Sequence, residues 1–320
     1  MKRILALLLA FCLVFCLMAG CGGSEPEETG TGKKDVQAEE QPKAEAEPEK
    51  DTFEPVSATI GGYDVTVVGA ELFTDTEDKE GIRVYWDFTN TSDESTYPYC
   101  DLSVEMEQEG FELNTTYVYS EDDVPEYGND ILDLRPGVSI RCISEYNCKA
   151  EGEAIAFTIY NWFDEDDALT VEFDPQNLPG RPEEDLEPEV ISDPAWTEGM
   201  EMEGYVGEDA YVVIEDYEVV PGWDSGEEVI RVYFTFTNES DEAASMWWAA
   251  NYRAFQDGVE LVEDWAEQDV AEDENATLDI EPGETLYCSV CWELRSDSPV
   301  EIEVYDSWSE EYIGCVFAVE

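Results

Sequence analysis

Any chemistry in this 320-residue chain falls to carboxylates, thiols and aromatic rings, because the sequence contains no histidine. Without imidazole there is no Ser-His or Cys-His nucleophile, no histidine general base and no His-ligated zinc. Carboxylates abound, with 80 Asp and Glu against 15 Lys and Arg and a formal net charge of -65. That imbalance excludes nucleic acid as a partner, since holding phosphate requires opposing cations. Among so many acids a pair spaced for glycosidase work must occur by chance, so it points to no active site. No Gly-x-Ser-x-Gly elbow, phosphate-binding loop or dinucleotide fingerprint is present. The expectation is a protein that is not an enzyme and carries no cofactor.

Three groups of residues are candidates for binding. The runs Asp164-Glu165-Asp166-Asp167 and Glu121-Asp122-Asp123 could attract a divalent cation, with Asp164, Asp166 and Asp167 as weak metal candidates, but neither has the spacing of an EF-hand loop. Among the cysteines, Cys291 and Cys315 form the best candidate bridge. Cys142 with Cys148, and Cys288 with Cys291, lie along single strands where an extended backbone separates the sulfurs. Cys288 falls in the inward parity and reads as a small core hydrophobe. Trp247 and Trp248 are adjacent in an expected strand, so one faces away from the other, and Tyr252, with Tyr233 and Tyr287, could neighbour it. Such an aromatic patch can stack on sugar rings while acids bond the hydroxyls; equally, a loop or a second domain can cover it.

The elements around these residues begin with an address. Lys2 and Arg3 precede an apolar run from Ile4 to Met18, and Leu17-Met18-Ala19-Gly20-Cys21 has the form of a lipobox. Residues 1–20 are then a signal peptide, and Cys21 carries lipid and anchors the mature chain to the outer face of a bacterial cell membrane. Residues 21–54 have almost no large apolar side chain to offset the entropy of ordering, so they form an acidic disordered tether. At roughly 3 Å per residue it could reach on the order of 100 Å.

Beyond the tether the sequence repeats. Ile82-Arg83-Val84-Tyr85-Trp86-Asp87-Phe88-Thr89-Asn90 matches Ile230-Arg231-Val232-Tyr233-Phe234-Thr235-Phe236-Thr237-Asn238 at an offset of 148. The same offset aligns Gly110-Phe111-Glu112-Leu113 with Gly258-Val259-Glu260-Leu261, and an offset of 146 aligns Arg135-Pro136-Gly137 with Glu281-Pro282-Gly283. These matches predict two copies of one unit, residues 55–174 and 201–320, joined by a Pro- and acid-rich linker at 175–200. Apolar residues alternate with period two within each copy, and Asp257-Gly258 is a hairpin signal. Seven to nine short strands per copy predict an antiparallel β-sandwich. Tether and linker account for little of the charge, since 62 acids and 8 bases fall in the two copies. The acidity therefore belongs to folded surfaces and is not a tail.

Phe-Thr-Asn-x-Ser-Asp-Glu, then Ala254-Phe255-Gln256-Asp257-Gly258-Val259-Glu260-Leu261, Ile280-Glu281-Pro282-Gly283 and Ser298-Pro299-Val300-Glu301 resemble a family of immunoglobulin-like domains on lipoproteins of Gram-positive gut bacteria. That family belongs to the "domain of unknown function" series and is similar in fold to a secreted immunogenic mycobacterial protein. The first copy departs from the pattern after Glu94, where Tyr97-Pro98-Tyr99-Cys100 replaces the segment from Ala243 to Trp248. The resemblance implies an all-β fold, two tandem immunoglobulin-like antiparallel sandwiches, and a surface location, but no site residues.

The sequence thus predicts a surface lipoprotein that binds an envelope protein or builds envelope structure, with a carbohydrate-binding module using Trp247, Trp248 and Tyr252, and a Ca²⁺-stabilised adhesin, as alternatives. Cys21→Ala should move the protein from the membrane pellet to the soluble fraction, and a variant that stays in the pellet would refute the anchor.

Overall fold

The computed structural model describes residues 53–75, 79–116, 124–183, 186, 199–223, 227–306 and 312–319. The lipobox with Cys21, nearly all of the tether, the run Glu121-Asp122-Asp123 and much of the linker lie outside the described residues.

The described chain is all-β and forms two tandem antiparallel sandwiches. In the first copy, β1 (Val56–Ile60), β2 (Tyr63–Thr74), β3 (Glu80–Thr89) and β6 (Ser139–Asn147) make one sheet in that order. The facing sheet has β5 (Phe111–Glu112), β4 (Leu102–Gln108), β7 (Ile155–Asn161) and β8 (Asp164–Phe173). The second copy repeats this plan strand for strand. Its first sheet is β9 (Glu203–Val206), β10 (Ala210–Pro221), β11 (Glu228–Asn238) and β14 (Thr285–Glu293). Its second is β13 (Val259–Glu260), β12 (Asn251–Gln256), β15 (Val300–Tyr305) and β16 (Tyr312–Phe317). Three strands run as a meander in each first sheet before the chain crosses to the second.

The repeated motif has a physical basis. Val84, Trp86 and Phe88 of β3, like Val232, Phe234 and Phe236 of β11, fill the space between sheets. On the outer face of β3, Arg83 Nη1 and the Tyr85 hydroxyl donate to Glu71 Oε1 at 3.0 and 2.7 Å; on β11, Arg231 and Tyr233 both donate to Glu218 at 2.7 Å. The Asn ending each motif is fully buried. Asn90 donates to the carbonyls of Glu94 and Leu134, both at 2.8 Å, and Asn238 donates to those of Glu242 and Ile280, both at 2.8 Å. Each amide thereby ties the end of a central strand to the loop that leads into its neighbour, satisfying polar groups that would be costly to bury alone.

One expectation changes. Trp247 and Trp248 are not in a strand but in a one-turn helix, α1 (Met246–Ala249), because the chain is crossing between sheets there and Met246 is the side chain buried. A second short helix, α2 (Ala271–Asn275), follows β13. The first part of the linker packs against the first copy: Gly180 N–H donates to the Ala70 carbonyl at 2.8 Å, and Arg181 pairs with Glu126 at 2.8 Å. Gly69 permits that approach, since a Cβ there would stand 2.6 Å from the Gly180 carbonyl oxygen.

The two copies also lock together. Asp257 and Gly258 hold φ of 53° and 77°, closing the tight hairpin between β12 and β13. Its tip pairs with the loop before β6: Glu260 N–H donates to the Asp133 carbonyl, and Arg135 N–H to the Gly258 carbonyl, each at 2.8 Å. Val259 bridges to Leu134 and joins the first copy's core. Arg135, only 2% exposed, lies 3.8 Å from the centroid of the Phe255 ring and 3.6 Å from carboxylate oxygens of both Glu301 and Glu303. Removing one member of a buried charge cluster leaves the others unmatched, at a cost of about 3 kcal/mol or more. Arg135→Ala should therefore lower stability by about 3 kcal/mol and split a single denaturant transition into two as the copies uncouple, as followed by circular dichroism.

Candidate functional site

A cleft of about 320 Å³ opens where the copies meet. The first copy contributes Tyr97, Ile131 and Asp133; the second contributes Trp247, the segment from Ala250 to Arg253, Glu260, Glu263 and Tyr305. Its size is at the lower end of the range for small-molecule sites.

Local structure explains how the walls form. Ser245 is buried in extended conformation before α1, and Met246 then plugs the second copy's core, turning Trp247 and Trp248 outward. The Trp247 N–H donates to the Ala276 carbonyl at 3.0 Å, which fixes the turn against the α2 segment. Directly after α1 the chain enters β12, where Tyr252 packs on Phe234 and edge-on to Trp292, with centroids 6.4 and 6.1 Å apart. Tyr97 sits just before the corresponding turn of the first copy, Pro98–Cys100.

Arg253 forms the floor of the electrostatics. It pairs with Asp133 of the first copy and, at 2.8 Å, with Glu303 of its own, while stacking 4.5 Å from the centroid of Tyr305. Burial opposes its charge, but Glu303, Tyr305 and Asp133 together outweigh burial and hold its pKa above the ordinary value. Glu260 accepts the Asp133 N–H at 3.0 Å, yet burial still raises its carboxyl above the usual range. Burial also raises the Tyr305 and Tyr252 phenols. The cleft thus presents aromatic surface, an amide at Asn251, a guanidinium already engaged, and several acids. It has hydrogen-bonding groups for a polar ligand.

Of the aromatic residues singled out in the sequence, Trp247 and Tyr252 come together in the cleft. Trp248 stands outside it, 76% exposed, edge-on to Trp247 at 4.7 Å. Tyr233 and Tyr287 stack on each other at 5.4 Å on the outer face of another sheet. Asp164 and Asp166 are exposed where the register of β8 on β7 shifts, and the Asp167 carboxylate accepts the Gly61 N–H at 2.7 Å. Among the described residues no three Cys, Asp or Glu side chains converge in a way that could hold a metal ion. Cys291 and Cys315 are not bridged: Cys291 packs with Val229 and Ala266 outside the sandwich, whereas Cys315 faces the core from the other sheet. The inner face of β14 instead carries Cys288, fully buried.

Sequence reasoning did not single out Tyr97, Ile131, Asp133, Arg253, Glu260, Glu263 or Tyr305 as site residues. The trace it offered was the departure between copies, which sets Tyr97 in the place of an apolar segment and Arg253 opposite Glu105 at the offset of 148.

The profile of the domain of unknown function (DUF5067) matches residues 38–161 and again residues 189–306. A candidate lipoprotein of Staphylococcus aureus subsp. aureus NCTC 8325 is similar at 16% identity, over 37% of this chain and 92% of that one, with a TM-score of 0.32. A candidate lipoprotein of Bacillus subtilis subsp. subtilis str. 168 is similar at 13% identity, over 37% of this chain and 39% of that one, with a TM-score of 0.30. No curated protein matches the chain.

Because the folded-state pKa of Glu260 is raised, its contribution to stability is fully present below the ordinary Glu pKa and is lost as pH rises through the raised value. Glu260→Gln, which keeps a carbonyl oxygen for the Asp133 N–H, should leave stability unchanged in acid and increase it at neutral pH. Parallel urea titrations across that range would show the two curves diverging upward with pH.

Proposed function

This chain belongs to the DUF5067 family, carrying its domain twice, and on that premise we propose that it is a non-catalytic binding protein of the cell surface. Cys21 holds it by lipid on the outer face of a bacterial cell membrane, and the tether carries two immunoglobulin-like sandwiches away from the bilayer. The observation that carries the reading is the cleft at the junction, where Trp247 and Tyr252 of one copy face Tyr97 and Asp133 of the other. Residues from both copies make one site, and the interlocking of the copies keeps that site formed before a ligand arrives, which reduces the ordering cost of binding.

A glycan fragment of the envelope is the occupant that the lining favours. Trp247 is 52% exposed, enough for its face to take a sugar ring, while Asn251, Glu260 and Glu263 offer polar atoms to hydroxyls around it. An anionic ligand would meet Asp133, Glu260 and Glu263, so neutral or cationic sugars fit better. The envelope-protein reading requires a broader apolar patch, to which Trp248 would contribute.

Titration of envelope glycan fragments against the protein's tryptophan fluorescence tests this. Saturable quenching is expected from a neutral or amino-sugar fragment, with the glycan recovered uncleaved, and Trp247→Ala should weaken it by about tenfold or more. Trp248→Ala should have a much smaller effect. Equal binding by the wild type and Trp247→Ala, or cleavage of the fragment, would defeat the proposal.

A further inference from the structure

Each copy carries both halves of the contact that joins the copies, and one half of each is used. The projecting half is the hairpin tip, Asp257-Gly258-Val259-Glu260 in the second copy and Glu109-Gly110-Phe111-Glu112 in the first. The two tips have the same build. Glu109 and Gly110 hold φ of 56° and 77°, nearly the values at Asp257 and Gly258. Leu113 N–H donates to the Met106 carbonyl at 2.8 Å, as Leu261 N–H does to Ala254 at 2.8 Å. The receiving half is the loop Asp133-Leu134-Arg135 in the first copy and Asp279-Ile280-Glu281 in the second. Within the molecule, the second copy's tip fills the first copy's loop, and Val259 is 4% exposed. Its counterpart, Phe111, is 74% exposed.

Charge decides what could cover Phe111. In the used junction, Arg253 and Phe255 on β12, paired with Glu303 and Glu301 on β15, receive Asp133 and Arg135. At the equivalent register of the first copy stand Glu105 and Glu107 on β4, paired with Thr158 and Ala156 on β7. Burial, with Glu107, Glu112 and Glu165 nearby, pushes the Glu105 carboxyl upward, as expected where acids crowd one face. The chain's own unused loop ends in Glu281 in the place of Arg135, so a second copy of the chain would bring acid against acid.

We propose that the Phe111 hairpin is a docking edge for a basic partner protein. The partner supplies an extended loop that pairs its main chain with Phe111 and Glu112 and places an apolar residue, followed by Arg or Lys, against Glu105 and Glu107. This is strand addition to a sheet edge, and the internal contact of Leu134 and Arg135 with Val259 is its pattern. The surface is separate from the cleft, and neither reading depends on the other.

The chain can be made to supply its own probe. Glu281→Arg gives the unused loop of the second copy the apolar-then-cationic order that the proposal requires. In sedimentation velocity at rising protein concentration, the wild type should stay monomeric and the Glu281→Arg protein should assemble head to tail, as a heterologous contact does. Adding Phe111→Ser should weaken that assembly by about tenfold or more, and added salt should weaken it as well. Both positions are exposed, so circular dichroism should show an unchanged fold. A Glu281→Arg protein that remains monomeric, or that assembles regardless of Phe111→Ser, overturns the proposal. So does wild-type assembly through Phe111, because it would show that no cation is needed.

Discussion

A single guanidinium sets the relation between the two halves of this molecule. Arg135 is almost completely buried in a protein with five times as many acids as bases. A charge in that position is tolerated only where opposite charge stands close by: Glu301 and Glu303 on β15 lie 3.6 Å away, Ser95 accepts one N–H at 3.1 Å, and the Phe255 ring covers its face. Placing Arg135 beside these carboxylates goes with the backbone pairing of the hairpin on the loop, and that register brings Asp133 to Arg253 and Tyr97 across from Trp247. Arg295, whose Nη1 is 3.5 Å from Asn129 Oδ1, adds a further contact across the same junction. Scarce cations concentrated here leave the remaining surfaces to the acids.

Much of the fold was visible in the sequence because its signals are local. Alternation along Ile230 to Phe236 gives β11 directly, and the offset of 148 transfers the assignment to β3. The buried amides of Asn90 and Asn238 also lie behind a local pattern, since an Asn followed two residues later by Ser can close a turn on its own backbone. What propensity misjudged was Trp247 and Trp248. Aromatic residues favour strands in general, but here the chain must change sheets, and burial of Met246 outweighs the preference of its neighbours.

The junction and its cleft were less legible, for a reason of sequence distance. Arg253 finds Asp133 at a sequence separation of 120, and Glu260 meets the same residue's backbone. Neither contact follows from any repeat or period. Comparison of the copies with each other held the clue: Arg135 against Glu281, Arg253 against Glu105, and Phe255 against Glu107 are large changes of charge or polarity between otherwise matching units. Such differences arise where one copy makes a contact that the other does not. Asp164, Asp166 and Asp167 show the converse, where a dense acidic run in sequence meets at no common point: Asp164 and Asp166 are exposed and Asp167 is taken up by the Gly61 N–H.

The cysteines carry a consequence of their own. Burial raises the thiols of Cys148 and Cys291 to about 11 and those of Cys288 and Cys315 to about 12, and it drives Cys142 well upward too. Thiol–disulfide exchange proceeds through the thiolate, which at neutral pH is a minute fraction of such groups. Cores built on Trp86, Trp292 and their neighbours, with thiols serving as hydrocarbon, are therefore indifferent to redox potential. Among the described cysteines none is bridged, so neither core rests on a disulfide for its packing.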